Sequence, residues 1–180
     1  MFQSPLETLF NPTGIAVFGA SESATSVGSK VHANLLDGGF KGTIVPINPK
    51  HKKVRGQTCY PGIADVPDKI DLAVIATPAR TIPGIIRDLG EAGVGSAIVL
   101  SAGFREAGEE GQRLEKKMTE AARKAGVRFM GPNCVGLVRP WLGMNATFLN
   151  STAPEGRLAL VSQSGALRNR QSRRLAMRAT

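Results

Sequence analysis

Two cysteines, two histidines, one tryptophan and one tyrosine in 180 residues leave little material for several familiar chemistries. Cys59 and Cys134 form no C-x-x-C pair and share no metal-ligand spacing with His32 or His51, so neither a disulfide framework nor a zinc site is expected. Reduced thiols fit a cytoplasmic protein. Cys134 has no histidine after it in the chain, which argues against a cysteine nucleophile. No base or orienting group accompanies either histidine, which argues against a phosphocarrier. His32 falls in a helical stretch and His51 among lysines, where ligand contact is the better role.

Long apolar runs are missing as well. No stretch of 18 or more apolar residues exists, which argues against a transmembrane helix and a membrane partner. The start, MFQSPLETLF, has neither a basic leader nor an apolar signal core, and this predicts cytoplasmic residence. The net charge of +9 resembles a nucleic-acid footprint until its distribution is considered. Arg168, Arg170, Arg173, Arg174 and Arg178 crowd the last residues with no acid among them, leaving +4 for residues 1–167. That body has no basic stripe interleaved with aromatics, so nucleic acid is not the expected partner.

What the chain does have is a regular alternation. Ser4-Pro5-Leu6-Glu7 places an N-cap, a first-turn proline and an acid in order, predicting a short helix that ends before Asn11-Pro12. Apolar strands are predicted at Ile15–Phe18, Thr43–Ile47, Leu72–Ala76, Ala97–Leu100 and Arg128–Met130. Helices are predicted at Val27–Leu36, Ile82–Ala92 and Gly108–Ala125, the last with Leu114, Met118, Ala121, Ala122 and Ala125 on one face. Short continuous apolar strands separated by helices mean a parallel sheet covered on both sides. The predicted fold is α/β, a Rossmann-like doubly wound sheet over residues 1–150, with Leu142–Asn150 weakly extended. Residues 151–167 read as a linker, a strand at Leu158–Val161 and a small-residue turn, and residues 168–180 as an atypical basic tail.

Ligands of such a sheet gather at the carboxyl ends of its strands. Here those ends read GASESATSVG, NPKHKKVRG, ATPAR, SAGF and GPNCVG, rich in small and amide side chains and poor in acid–base pairs. They are binding loops. The first lacks the G-x-G-x-x-G of a dinucleotide site and closes only at Gly28, although its small residues still admit a phosphate to the backbone amides. The second lacks the acidic residue that would hold an unphosphorylated ribose. Its Lys50, Lys52 and Lys53 favour a phosphorylated one: the 3′-phosphate of coenzyme A or the 2′-phosphate of NADP. A solvated surface run is the competing reading of those lysines.

Taken together, FNPTGIAVFGAS, GTIVPINPKHKKVRGQTCYPGIADVP, DLAVIATPA, SAGFRE, GPNCVGL and GRLALVSQSGAL closely resemble the NDP-forming acyl-CoA synthetases, relatives of the succinate–CoA ligase alpha subunit. The resemblance runs from about Leu9 to Leu167. It implies a CoA-binding domain in which Ser21 and Gly28 line the diphosphate loop and Lys50 lies in the polar loop after the second strand. It further implies Thr77 and Pro78 beside the adenine and ribose, Ser101, Ala102 and Gly103 along the pantetheine, and Asn133 near the thiol end. GRLALVSQSGAL would open a second, flavodoxin-like domain. A downstream phosphohistidine, and an ATP-grasp beta subunit or domain, would complete the ligase reaction. RNRQSRRLAMRAT does not match the apolar helix expected after SQSGAL. The expectation is therefore a truncated relative that binds CoA or acyl-CoA and is inactive as a ligase alone. Two alternatives stay open: the same module in a lysine acetyltransferase, and an NADP-binding regulatory module.

Overall fold

The computed structural model describes residues 5–150 and 153–163. Five parallel strands form the central sheet: β1 (Gly14–Phe18), β2 (Thr43–Ile47), β5 (Leu72–Ile75), β6 (Ser96–Val99) and β7 (Arg128–Met130), in spatial order β2-β1-β5-β6-β7. β1, β5 and β6 are short, wholly buried runs because both faces are covered, while the edge strands β2 and β7 are partly exposed. In β1, Ile15 and Val17 point to one side and Ala16 and Phe18 to the other, and all four are buried.

The covering helices divide by crossover. α2 (Val27–Asp37) joins β1 to β2 and packs Val31 and Leu35 against Ile15, Val17, Leu72 and Val74, with Leu9 of α1 (Pro5–Phe10) in the same cluster. α3 (Ile82–Glu91) and α4 (Glu109–Ala125) cover the opposite face. There Ile82, Ile86, Leu89, Met118, Ala121 and Ala122 meet Ala16, Phe18, Ala73, Ile75, Ala97 and Val99. The predicted apolar face of α4 is the buried one. Its first turn carries Glu109 and Glu110, its last turn Arg123 and Lys124, and Gly126 ends it in the left-handed conformation at φ 71°. The chain winds outward from β1 to β2 and then crosses back to β5, so the direction of winding reverses between β1 and β5. This is the doubly wound fold expected, and in folds of this strand order the crevice between those two strands is where ligands generally bind.

Three features depart from the expectation. β3 (Lys53–Val54) and β4 (Gln57–Thr58) form a small antiparallel hairpin where only a basic loop is foreseen. Its two central residues, Arg55 and Gly56, have φ of 51° and 78°, the pattern of a tight hairpin turn. The weakly extended Leu142–Asn150 is half of a second hairpin, β8 (Gly136–Arg139) with β9 (Met144–Thr147). Met144 and Ala146 enter the core beside α2, and the Asn34 amide donates to the carbonyls of Thr147 and Leu149, both at 2.8 Å.

The third departure is a correction. Leu158–Val161 is not a strand: Leu158 and Val161 are 94% and 95% exposed, and none of the four pairs with another strand among the described residues. A strand needs a neighbour for its N–H and C=O groups, and the sheet offers this segment no edge that it reaches. The turn and tail that follow, from residue 164 onward, lie outside the described residues. Among the described residues no helix is long and apolar enough to cross a membrane.

Candidate ligand-binding site

The loops leaving β1, β2, β5, β6 and β7 meet along one edge of the sheet. Gly19, at φ 84°, ends β1, donates to the Ile47 carbonyl at 2.9 Å, and lies so close to the end of β5 that a Cβ would strike the Ala76 carbonyl. Gly28 opens α2 directly against this turn, and a Cβ there would run into the Gly19 carbonyl oxygen. A dinucleotide fingerprint uses its last glycine for this same close packing of helix on strand. Here the contact is made with a longer loop, which is why the G-x-G-x-x-G spacing is absent. Ser26 caps α2 by accepting from the Ser29 N–H at 3.1 Å, and its hydroxyl is 2.8 Å from that of Ser21. Ser21 is thereby held at the mouth of the helix N-terminus, where unpaired amides favour an anion.

Asn48 couples the second loop to the first. Its side-chain amide donates to the Ala20 carbonyl at 2.8 Å, while its Oδ1 accepts the Lys50 N–H at 3.0 Å. Lys50 is left exposed with its backbone fixed. The Cys59 thiol donates to the Asn48 carbonyl, and burial pushes its pKa up, so it is an inert structural thiol.

Ser101 plays the corresponding part for the other three loops. Its hydroxyl donates to the Thr77 carbonyl at 2.6 Å, and its own carbonyl accepts the Asn133 N–H at 3.0 Å. The Thr77 hydroxyl accepts from Thr81, which also donates to the Pro78 carbonyl. Gly103, at φ 102°, donates its N–H to Glu106 at 2.6 Å, and the Phe104 N–H points to the same oxygen at 3.3 Å. Hydrogen bonds to the Gly103 N–H first, then to its own and the Phe104 N–H, hold the Glu106 carboxyl below the usual range. With those amides occupied, the loop after β6 has no free anion cradle there, which suits an uncharged ligand segment.

Asn133 has φ 53° and is exposed beside Cys134, whose thiol donates to the Val99 carbonyl at 3.3 Å. A cleft of about 490 Å³ opens here, lined by Met130 to Gly136 and by Val161, Ser162 and Gln163. A more open depression of 570 Å³ lies on α4 among Arg105, Gln112, Glu115 and Lys116, away from the switch between β1 and β5.

Every nominated residue (Ser21, Gly28, Lys50, Thr77, Pro78, Ser101, Ala102, Gly103 and Asn133) therefore lies on this single edge. Sequence reasoning passes over Asn48 as a site residue, and it does not foresee that Ser101 ties three loops together. The only signal for Asn48 is its place between a strand and a proline. His32 is fully buried in α2, with Nε2 2.7 Å from Gln57 Oε1, and takes no place on the edge. Among the described residues no group of three His, Cys, Asp or Glu side chains could hold a metal ion.

Comparison with known proteins shows the family to which this fold belongs. The model of the CoA binding domain matches residues 13–140. The chain belongs to this CoA-binding domain family. The match covers all five sheet strands and all five loops, and the relatives that resemble the chain are ADP-forming acetate–CoA ligases.

Among curated relatives, ADP-forming acetate–CoA ligase I of Archaeoglobus fulgidus is 42% identical over 161 residues, 89% of this chain and 23% of the relative. The alpha subunit of ADP-forming acetate–CoA ligase I from Pyrococcus furiosus is 41% identical over 166 residues, 90% of this chain and 36% of that one. The chain thus spans between about a quarter and a third of the length of those curated relatives. Among solved structures, a Pyrococcus horikoshii protein superposes with a TM-score of 0.90 at 41% identity, covering 96% of this chain and 40% of its own. An acetyl-coenzyme A synthetase of Candidatus Korarchaeum cryptofilum, solved with phosphate and ADP, gives 0.83 at 42%, covering 94% and 36%.

Proposed function

We propose that the chain binds CoA or acyl-CoA across the carboxyl edge of its sheet, as the CoA-binding module of an ADP-forming acyl-CoA synthetase. The observation that carries this reading is the joined row of loops at the switch between β1 and β5, polar and cationic at one end and neutral at the other. CoA has the same polarity, with phosphates at its nucleotide end and an uncharged pantetheine leading to the thiol.

In this reading the diphosphate rests on the loop from Gly19 to Gly28, with Ser21 and the α2 amides as donors. Lys50 faces the 3′-phosphate. Thr77 and Pro78 flank the adenine and ribose. Ser101, Ala102 and Gly103 follow the pantetheine, whose lack of charge agrees with amides already occupied by Glu106. Asn133 stands at the thiol end, beside the cleft that Val161 to Gln163 help to wall. The two histidines support a binding role over phosphoryl transfer: His32 is enclosed in α2, and His51 follows the Asn48 turn among lysines. The phosphohistidine, the nucleotide site and an ATP-grasp partner are assigned to polypeptide other than these 180 residues. The chain alone is then expected to bind CoA without turning over acetate, CoA and ATP.

Calorimetric titration of the chain with CoA, acetyl-CoA, NADH and NADPH tests this directly. CoA and acetyl-CoA are expected to bind and the nicotinamide cofactors to give no comparable heat. Lys50→Glu is expected to weaken CoA more than dephospho-CoA, because the 3′-phosphate is the charge at stake. Tight NADPH binding without a CoA signal would overturn the reading.

A further inference from the structure

The β3–β4 hairpin is too short to be stable by its own ladder, which contains only the pairs Lys53–Thr58 and Val54–Gln57. Besides the Cys59 N–H bond to the Lys52 carbonyl at 3.0 Å and the bridge of Tyr60 to Ile47, three side-chain anchors hold it. Val54 is fully buried in the cluster that contains Val31 and Leu35 of α2. The Arg55 N–H donates to Glu22 Oε1 at 2.6 Å, and Glu22 lies in the first binding loop. Gln57 Oε1 lies 2.7 Å from His32 Nε2 in α2. The two polar anchors come from the binding loop and from the helix that loop introduces, so the hairpin straddles the start of α2.

Both polar anchors sit where they are difficult to explain by packing alone. His32 is wholly enclosed, and its Nδ1 has no hydrogen-bond partner. Desolvation lowers its pKa and keeps it neutral, and with Gln57 Oε1 accepting, the ring carries its proton on Nε2. An apolar side chain would fill the same space without an orphaned nitrogen. Arg55 occupies the left-handed region at φ 51°, which costs a residue with a Cβ, and the Glu22 carboxylate holds the amide of that same residue. A slip of one residue in the hairpin would break both bonds together. The His32–Gln57 bond is part-buried and the Arg55–Glu22 bond exposed, so their role is to specify register more than to add stability.

The register matters because of what the hairpin exposes. Lys52, Lys53 and Arg55 are all solvent-facing cations, carried past a loop whose own charged residue, Glu22, is an acid. A free carboxylate on that loop would repel a polyphosphorylated ligand. Held against the Arg55 amide, it has a fixed position on the hairpin.

We propose that Glu22, His32 and Gln57 are positioning residues that lock β3–β4 as a cationic strap beside the first binding loop, and that this strap sets the preference for a ligand with a phosphorylated ribose. The proposal rests on the CoA reading above and deepens it. Lys52, Lys53 and Arg55 supply the field, and the three anchors determine where that field falls.

The test is the ratio of dephospho-CoA to CoA dissociation constants, measured by calorimetry at two salt concentrations, with thermal melts on each variant. Wild-type protein is expected to prefer CoA, more strongly at low salt. Glu22→Ala and Gln57→Ala are each expected to reduce the ratio about five-fold, while Glu22→Gln, which keeps an acceptor for the Arg55 amide, retains it. Arg55→Gly guards against variants that fail to fold. Glycine accepts the positive φ, so the melting temperature should hold or rise while the ratio falls with the lost cation. An unchanged ratio in Arg55→Gly and Gln57→Ala, or equal weakening of both ligands, would overturn the strap and leave the CoA reading standing. No CoA binding by the wild-type chain would overturn the CoA reading itself.

Discussion

Asp71 and His32 are buried ionisable residues with opposite duties. Asp71 lies at the amino edge of the sheet, far from the ligand loops, where it accepts from the Thr13 hydroxyl, the Thr13 N–H at 2.7 Å and the Gly14 N–H at 3.3 Å. Burial pushes its carboxyl up, but those hydrogen bonds and Lys69 at 3.5 Å outweigh it and hold the carboxyl below the ordinary range. His32 is kept low by burial, which outweighs the Gln57 bond. Both shifts place the folded pKa below the unfolded one, so both contribute stability at neutral pH that is lost as pH falls. The windows differ. His32 begins to lose its share below about pH 6.5, and Asp71 only below the usual carboxylate range near about 3.9. Urea midpoints measured from pH 7 to 3 should therefore fall in two stages, and His32→Leu should abolish the first. Asp71→Asn should cost about 2 kcal/mol at pH 7 and leave CoA affinity unchanged, because it releases the β1–β5 amino edge and touches no loop. A single acid transition unaffected by His32→Leu would contradict the assignment.

At the scale of elements, legibility follows length. The five sheet strands and the three longer helices are readable because runs such as Gly14–Phe18 and periods such as Leu114, Met118 and Ala121 repeat a burial pattern several times over. The hairpins are not, because two to four residues carry no period and their turns depend on single residues such as Arg55 and Gly143 at positive φ. Site residues divide in the same way. Loop membership can be read from a strand ending in small residues. The Asn48–Ala20, Ser101–Thr77 and His32–Gln57 bonds join residues more than twenty positions apart, and local pattern does not encode them. Gly28 is legible as a small residue, but its purpose needs the structure. Gly28→Ala should force α2 away from the end of β1, costing about 1–3 kcal/mol and widening the loop proposed to receive the diphosphate. Denaturation should show that loss, and calorimetry should show CoA and dephospho-CoA weakened alike, since both carry the diphosphate. A selective loss of CoA would place Gly28 in the 3′-phosphate site instead.

For the whole molecule, the balance lies between a closed domain and the segment that follows it. The five-stranded sheet, its two helical layers and the β8–β9 hairpin bury their apolar residues against one another up to Phe148. Beyond it, Leu158 and Val161 face solvent almost entirely and Leu160 is 47% exposed. These residues contribute nothing to the core, and exposed apolar side chains on unpaired backbone favour association between molecules. Ser162 is half-buried where the segment walls the cleft beside Asn133, the end assigned to the thiol. A chain ending at Asn150 is therefore expected to be more soluble at high concentration and to melt at the same temperature. Its affinity for CoA should change less than Lys50→Glu changes it, because the nucleotide end supplies the charged contacts and lies on loops that the deletion leaves intact. Any effect should grow with the acyl group, so acetyl-CoA is the sensitive probe and desulfo-CoA the insensitive one. Light scattering and calorimetry on the two lengths make the comparison. Equal loss of affinity for CoA and desulfo-CoA would show that the segment supports the whole binding edge and not the cleft alone.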